Sequence, residues 1–391
     1  MTQNNPLAQL QMLLAQQKQA YQAHSMPSAS ERIERLARLK QCLLKYQDDI
    51  VRAISQDYGH RSSMETKIGE FLTCLEHIRY YSKNLTAWMK PSKRSIGMLH
   101  QPAKAWVQYQ PMGVVGIIAP WNYPLMLSVG PLICALAAGN HAMIKLSSAS
   151  PHFTQVLQTA LGEFFPPSLV SVVHHGDGVA EAFSHLAFDK LVFTGSTEVG
   201  KTVMKAAAEN LVPVLLELGG KSPVIVHSSM DMKDVAQRVA FGKLWNAGQT
   251  CVAPDHIYLP KGKTVEFVQA FKEMVQTMYP TLKHNADYTA IIHQRQYDKL
   301  QQYLDDAQQK GAVLISINPN NEDLSSECKF IPTLVTHTNA DMLLMQQEIF
   351  GPILPIIEYE HIDDVISAIN QSSRPLALYY FDYDQHRAYD V

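Results

Sequence analysis

The sequence has few cysteines, and they show no paired spacing. Its 391 residues include five, at positions 42, 74, 134, 251 and 328. An odd number without a pattern excludes a disulfide framework and indicates free thiols in a reducing compartment. An isolated cysteine in such a chain is most often a small buried hydrophobe, so each must be judged by its neighbours.

Long apolar runs and an excess of positive charge are also absent. No run of about 18 apolar residues occurs, which excludes a transmembrane helix. The polar start of the chain lacks the basic and apolar regions of a signal peptide. Lysine and arginine total 33 against 36 aspartate and glutamate residues, a formal charge of -3. We therefore expect a cytoplasmic protein that binds neither nucleic acid nor membrane.

A complete G-x-G-x-x-G motif is missing, because Gly176-Asp177-Gly178 has no third glycine. The sequence therefore does not match the conventional Rossmann fingerprint for dinucleotide binding. The segment 195–202 instead matches the Walker A pattern, between an apolar strand and a helix. Glu198 would place a carboxylate inside that loop, and no strand ending in aspartate offers a magnesium partner. A P-loop nucleotidase stays open as the less favoured interpretation.

Helical periodicity dominates the first 90 residues. Ser28 and Glu31 form a capping-box pattern ahead of apolar residues at helical spacing. Tyr80, Tyr81 and Trp88 are predicted to be core aromatics. Residues 105–109 then alternate in polarity, which predicts an exposed strand in a hairpin arm at about 100–110.

The rest of the chain alternates strands with helices. Strands are predicted at 112–119, 142–146, 169–174 and 190–193, and a helix at 125–138. This pattern is typical of an α/β fold with a doubly wound parallel sheet, whose ligands bind at the carboxyl ends of the strands. The side chains and glycines predicted at those ends are Asn122, Lys145, Gly176, Gly178 and Ser196.

A second α/β unit is predicted after residue 219. It has strands at 223–227 and 257–259 and near Val313 and Phe330, with helices at 232–246 and 264–278. We expect a cofactor domain over 1–219 and a catalytic domain over 220–391.

Cys251 lies in the stretch 241–255, Phe-Gly-Lys-Leu-Trp-Asn-Ala-Gly-Gln-Thr-Cys-Val-Ala-Pro-Asp. Gly248 permits a close backbone approach, and Pro254 fixes the exit of the turn. A thiol at such a bend can face a cleft. Glu217 follows an apolar run and precedes two glycines, which a solvated charge explains poorly. Buried there, it would serve as a base near neutral pH.

Glu217, Gly219-Gly220 and Gly248-Gln249-Thr250-Cys251 together resemble the active-site signatures of the aldehyde dehydrogenase superfamily. Gln347-Glu348-Ile349-Phe350-Gly351-Pro352 is a third motif of that family, in the expected order. The resemblance covers about residues 32–385. It implies a Rossmann-like cofactor domain joined to an α/β catalytic domain.

The resemblance also implies a role for each matching residue. Cys251 would be the nucleophile, Asn122 the oxyanion donor and Glu217 the general base. The reaction would oxidise an aldehyde to a carboxylic acid through a cysteine thiohemiacetal and a thioester, with NAD or NADP and without a metal. The residues that would bind the cofactor are Pro120, Trp121, Lys145, Ser148, Gly178, Phe193, Gly195, Ser196, Val199, Leu218, Gly219, Glu348 and Phe350.

Residues 57–62 and 374–379 look most like the class-3 and coniferyl-aldehyde branch of the superfamily. Two departures stand out. Ser148 replaces the glutamate of many members, and the chain ends at Val391, before its relatives do. The resemblance implies a homodimer for the full-length form. We expect the ending to impair turnover and dimerisation, so a catalytically impaired cofactor-binding remnant is the main alternative.

Overall fold

The computed structural model describes residues 6–173, 176–324 and 326–390. The chain forms two compact units. The first unit comprises Met1–Ile54 and Thr66–Glu217, and the second comprises Ser55–Glu65 and Leu218–Val391. The inclusion of Ser55–Glu65 in the second unit was not predicted. The assignment of a cofactor domain and a catalytic domain to 1–219 and 220–391 stays a prediction.

The helices follow the periodic apolar segments of the sequence. A π-helix spans Lys67–Leu72, and 3-10 helices span Met98–His100 and Trp245–Gly248. The α-helices are α1 (Pro6–Ala23), α2 (Ala29–Lys45), α3 (Gln47–Asp57), α4 (Ser63–Thr66), α5 (Thr73–Trp88), α6 (Pro124–Ala138), α7 (Pro151–Phe164), α8 (Val179–Ser184), α9 (Thr197–Ala208), α10 (Met232–Leu244), α11 (Thr264–Met278), α12 (Gln294–Gln309), α13 (Leu343–Gln346), α14 (Ile362–Gln371) and α15 (Gln385–Asp390).

The strands form one sheet in each unit and a separate hairpin. They are β1 (Ser92–Arg94), β2 (Ala105–Val107), β3 (Val114–Ile118), β4 (His141–Lys145), β5 (Val170–Val173), β6 (Lys190–Gly195), β7 (Val214–Leu218), β8 (Pro223–Val226), β9 (His256–Pro260), β10 (Val313–Ser316), β11 (Thr333–Thr336), β12 (Ile353–Tyr359) and β13 (Tyr379–Phe381). The predicted strand 169–174 is thus observed at 170–173, and His174 lies outside the described residues.

The sheet of the first unit has the strand order β5-β4-β3-β6-β7. Its central strand β3 is buried along its whole length and pairs in parallel with β4 and β6. The chain therefore builds outward from β3 in one direction and then in the other. Ligands of doubly wound sheets bind where this direction changes, at the carboxyl ends of the strands.

The sheet of the second unit has the order β10-β11-β12-β9-β8-β13. Its central strands run parallel, and β10 pairs antiparallel at one edge. Apolar side chains of β8, β9, α10 and α11 form one core, which includes Val224, Ile257 and Phe271. This core supports the chain segments that precede and follow Cys251.

The predicted hairpin arm is present, but its bounds differ. β1 pairs antiparallel with β2, from Ser92 opposite Val107 to Arg94 opposite Ala105. The arm therefore begins at residue 92 rather than near 100. Its first strand, Ser-Lys-Arg, is polar and fully exposed, so it carries no alternating pattern that would have predicted it.

The homodimer that the family resemblance implies stays a prediction.

The prediction of core aromatics at Tyr80 and Trp88 is wrong. Both side chains are exposed, and with Tyr81 they form a surface cluster whose ring centroids lie 5.4–6.1 Å apart. Helical spacing correctly places them near one another, but spacing cannot tell whether another element covers them. The capping box at α2 is confirmed, because Ser28 and Glu31 exchange both expected hydrogen bonds.

Candidate active site

Asn122 lies four residues after the end of β3, at the carboxyl end of the first sheet. Its side chain is buried, and Pro120 and Trp121 before it are half-buried. α6 begins two residues later, without a capping bond from the Tyr123 side chain. Glu70 of the π-helix supplies that cap, because its carboxylate accepts hydrogen bonds from Leu125 N (2.7 Å) and Met126 N (3.1 Å). A buried anion at a helix N-terminus thus supports the helix that follows Asn122.

Lys145 ends β4 beside the end of β3. Ile118 pairs with Lys145 on one side and with Phe193 on the other, so these residues share one row across the sheet. Burial lowers the pKa of the Lys145 amine. The turn that follows exposes Ser148. The structure therefore places Lys145 and Phe193 in one row at the carboxyl end of the sheet.

The Walker-like segment does not form a phosphate-binding loop. β6 runs to Gly195 and α9 begins at Thr197, so Lys201 lies inside the helix. There it pairs with Glu198 at 2.8 Å, and both side chains are exposed. Ser196 caps the helix by accepting a hydrogen bond from Val199 N. What remains is an accessible helix N-terminus, a favourable place for an anionic group.

Gly195 and Gly178, near the carboxyl end of the first sheet, lie where a larger side chain would be unfavourable. A Cβ added at Gly195 would lie 2.6 Å from the Phe193 ring. Gly178 precedes α8 with φ +74°, a left-handed conformation that favours glycine. Val199, on the first turn of α9, is exposed. The start of α8 and the end of β6 therefore both favour glycine.

The predicted burial of Glu217 is wrong, because the side chain is exposed. β7 is the last strand of its sheet, and its residues alternate between half-buried and exposed positions. Leu215 and Glu217 share the exposed side. The apolar run around Glu217 indicated a buried strand, but one face of β7 is only half-buried and the other is exposed.

The turn before Cys251 has an unusual backbone. Asn246 and Ala247 have φ values of 52° and 49°, and Gly248 has 74°. A left-handed residue other than glycine costs about 1–2 kcal/mol, so this turn needs support from outside. A Cβ added at Gly248 would lie 2.4 Å from the Gly351 carbonyl oxygen. The Cys251 turn and the 347–352 motif therefore meet at this glycine.

The residues at and after Cys251 are held by hydrogen bonds to their carbonyl groups. Ser222 Oγ donates to Cys251 O at 3.4 Å, and Tyr379 Oη donates to Val252 O at 2.6 Å.

Cys251 itself is half-buried, whereas Cys42 and Cys74 are fully buried. Burial raises the pKa of the Cys42 thiol to about 12. Such a thiol stays protonated near neutral pH and is a poor nucleophile.

An ion pair between half-buried Lys221 and buried Asp255 fixes the other end of the Cys251 stretch. Lys221 pairs with Asp255 and also donates to Leu344 O (2.7 Å) and Gln347 O (3.0 Å). The second carboxylate oxygen of Asp255 accepts from Ile349 N at 3.0 Å. The pair thus joins the glycines after Glu217, the Cys251 stretch and the Glu348 motif, all within the second unit.

Charges around this pair shift its neighbours' pKa values. Burial alone would raise the pKa of Asp255, but Lys221, His256 and Lys243 together hold it below its usual range. Lys243 is completely buried, and burial lowers its pKa to about 8 despite the attraction of Asp255. A buried cluster of this kind requires each charge to keep its partner.

Glu348 lies against the glycines that follow Glu217. A Cβ added at Gly219 would lie 2.3 Å from a Glu348 carboxylate oxygen, so any larger residue there would displace the Glu348 side chain. Burial raises the pKa of Glu348 to about 7, although a hydrogen bond from Gly220 N opposes the shift. Phe350 follows with φ +55°. The structure therefore brings together Leu218, Gly219, Glu348 and Phe350 in the second unit.

Three supporting residues were missed by the sequence analysis. Asp255 ends the quoted stretch 241–255 and Lys221 directly follows Gly219-Gly220, so their charge in apolar surroundings was a usable signal. Glu70 had none, because its partners are more than 50 positions away. Among the described residues, no group of three or more His, Cys, Asp or Glu is arranged to hold a metal ion. None of the described helices has the length and apolar character that a membrane crossing requires.

Comparison with known proteins agrees with this geometry. The profile of the aldehyde dehydrogenase family matches residues 3–391. A probable coniferyl aldehyde dehydrogenase of Pseudomonas aeruginosa is 50% identical over 377 residues, 96% of this chain and 78% of that protein. A coniferyl aldehyde dehydrogenase of a Pseudomonas species is 42% identical over 378 residues, with the same coverage.

Solved structures give the same result. The substrate-bound state of Staphylococcus aureus AldH superposes with a TM-score of 0.90 at 35% identity, covering 97% of this chain and 82% of that one. A betaine aldehyde dehydrogenase double mutant from Staphylococcus aureus, in complex with NAD+, gives 0.85 at 26% identity, covering 97% and 76%. The chain belongs to the aldehyde dehydrogenase family. It is an oxidoreductase that oxidises an aldehyde to the acid with a nicotinamide cofactor.

Proposed function

We propose that Cys251 is the nucleophile of this oxidation. The single observation that carries the proposal is its setting: a half-buried cysteine after a strained turn, with its own and the next carbonyl group held by side chains. The Cys251 sulfur bonds to the aldehyde carbon, and the carbonyl π electrons move to oxygen. The Asn122 amide and the Cys251 N–H stabilise the resulting anion.

Glu217 acts after the substrate carbon has been oxidised to a thioester on Cys251. Its carboxylate accepts a proton from water, whose oxygen bonds to the thioester carbon. The carbon–sulfur bond then breaks, which releases the acid and the Cys251 thiolate. The exposure of Glu217 on an edge strand suits this role, because water reaches it directly.

Each unit offers side chains and backbone groups that would hold one part of a nicotinamide dinucleotide. When bound, the cofactor supplies the hydride acceptor. In the first unit, Lys145 and Ser148 would hold the adenosine ribose, and the N-terminus of α9 at Ser196 and Val199 would face the pyrophosphate. Pro120, Trp121, Gly178, Phe193 and Gly195 would line that path. In the second unit, Glu348 would bind the nicotinamide ribose, beside Leu218, Gly219 and Phe350.

The substrate we propose is an aromatic aldehyde of the coniferyl type. The 50% identity to a probable coniferyl aldehyde dehydrogenase supports this choice. The test is a panel of coniferyl, aliphatic and betaine aldehydes with each cofactor, followed by the absorbance of reduced nicotinamide. We expect coniferyl aldehyde to exceed a short aliphatic aldehyde in kcat/KM by at least about tenfold. Preference for another aldehyde would contradict the proposed coniferyl-type substrate. Cofactor binding without turnover of any aldehyde would contradict the proposed dehydrogenase activity.

We expect Ser148 to permit binding of NADP. A 2′-phosphate carries about −1.5 to −2 charges, and the exposed Ser148 hydroxyl does not repel it. Ser148→Glu should weaken NADP binding at least about tenfold and NAD binding less than about threefold. Titration of both cofactors measures this, and Ser148→Gln is the uncharged control of matching size. Equal losses for both cofactors would place the adenosine ribose elsewhere.

Cofactor affinity should fall as pH falls through about 7. Burial raises the pKa of Glu348 to about 7, so its carboxyl group is neutral below that pH. A neutral carboxyl group cannot accept hydrogen bonds from two ribose hydroxyls as well as a carboxylate can. Affinity should therefore drop about tenfold from pH 8 to pH 6, in proportion to the ionised fraction. Calorimetric titration measures it. Glu348→Gln should lose this dependence, and a flat profile for the unaltered chain refutes the role.

A further inference from the structure

The segment Ser55–Glu65 has no part in the proposed chemistry, although it belongs to the second unit. It runs alongside residues 289–290. Ala290 N donates to His60 O at 3.0 Å, and Ser62 N donates to Thr289 Oγ1 at 3.2 Å. These bonds place α4, and with it Glu65, next to the turn that precedes Cys251.

Glu65 contacts that turn directly. Its side chain is 5% exposed, and one carboxylate oxygen accepts from Asn246 N at 3.0 Å, across 181 positions of sequence. The other oxygen accepts from Thr289 Oγ1 at 2.7 Å. Thr289 and Asn246 are fully buried. A buried carboxylate that accepts from a backbone N–H and a hydroxyl fixes both donors strongly.

The donor of the first bond is the first residue of the strained turn. Asn246, Ala247 and Gly248 are all left-handed, and Cys251 follows three residues later. Asn246 Nδ2 donates to Gln249 O at 3.1 Å and to Tyr58 Oη at 3.3 Å. Gln249 Nε2 returns a bond to Asn246 O at 3.0 Å. A shift of Asn246 would therefore move Gln249 and the backbone that leads into Cys251.

Gln249 ties the same turn to the neighbouring chain. Its Nε2 also donates to Ala290 O, and its Oε1 accepts from Ile292 N, each at 3.0 Å. Burial raises the pKa of Glu65, whereas the bonds from Thr289 and Asn246 and the charge of Arg61 oppose that shift. Arg61 is itself buried against the Tyr58 ring, 5.1 Å from its centroid. The carboxylate therefore lies in surroundings that supply both donors and a nearby positive charge.

We propose that Glu65 is a positioning residue for Cys251: its carboxylate holds Asn246 N–H and thereby maintains the left-handed turn that aims the thiol. The inference rests on the proposed role of Cys251. It assigns a function to a carboxylate outside every motif that matched the family. Glu65 need not touch substrate, because it acts through Asn246 and Gln249.

The test compares Glu65→Ala and Glu65→Gln with Glu322→Ala. Glu322 is the matched control, a carboxylate in the same unit that accepts from Leu282 N and Lys283 N. Glu65→Ala should lower kcat about 10- to 100-fold with little change in the KM for cofactor. The Asn246 amide should exchange hydrogen at least about tenfold faster. Glu65→Gln keeps an acceptor for Asn246 N–H and should retain most activity.

Each outcome is decisive. If Glu65→Ala keeps its kcat and the slow exchange of Asn246, the proposal is wrong. If Glu322→Ala loses as much kcat at an equal drop in melting temperature, Glu65 has only a structural role. Should Glu65→Ala fail to fold, Glu65→Asp, which is too short to reach both donors, must still show the lower kcat and faster exchange. Absence of turnover in the unaltered chain would instead refute the proposed function.

Discussion

Replacement of Cys251 by alanine is expected to abolish aldehyde oxidation. The sulfur forms the bond to substrate carbon, and alanine has no nucleophilic atom in its place. We expect a loss in kcat of at least about 10³-fold. Cofactor binding should stay within about twofold, since the proposed anchors are backbone groups and side chains other than the thiol. The measurements are steady-state turnover of coniferyl aldehyde and titration of NAD with the same preparation.

Cys134→Ala provides the control for Cys251→Ala. Cys134 is exposed on α6, where its Sγ lies 3.1 Å from Tyr81 Oη, and its removal should leave turnover unchanged. Cys42 and Cys74 are poorer controls, because both are buried and truncation would leave cavities. Steady turnover by Cys251→Ala above the uncatalysed rate would show that Cys251 is not the nucleophile. Equal losses in both variants would point to general damage by thiol removal.

Local sequence predicted much of the fold, because helices and buried strands depend on short-range patterns. The helix 264–278 was predicted with the bounds that α11 has. The burial of β3 also followed from its continuous apolar run. These features arise from periodicity and from β-branched residues, both visible within a few positions. The motif around Cys251 was equally local, so the candidate nucleophile could be named from the sequence.

Features that depend on distant partners could not be predicted in this way. The exposure of Glu217 reflects one face of β7 that stays uncovered, which depends on packing by distant parts of the chain and not on local sequence. Trp88 was assigned to the core because no sequence pattern shows which helix faces stay uncovered. Glu65 gave no signal, since its partner Asn246 is 181 positions away. Long-range hydrogen bonds therefore decide how the site is supported, although local motifs decide which residues it uses.

Glu217→Gln is expected to separate the two halves of the reaction. Attack by Cys251 and oxidation of the substrate need no base at position 217, so one equivalent of reduced nicotinamide should form rapidly. Hydrolysis should then slow by about 10²- to 10⁴-fold, because glutamine cannot take the proton from water. Stopped-flow absorbance measures the burst, and mass spectrometry of the intact chain should show the acyl group on Cys251. Ping-pong kinetics with such accumulation are typical of covalent catalysis.

Glu209→Gln is the matched control for this prediction. Glu209 is another exposed carboxylate of the first unit, paired with His185 at 2.9 Å, and its change should leave both burst and steady rate intact. Because Glu217 is exposed at the edge of its sheet, glutamine should fit there without loss of stability. A lowered burst would therefore indicate a role in the attack step rather than in hydrolysis. Unchanged steady-state turnover would mean that another group activates the water, since the thioester would still be hydrolysed at the original rate.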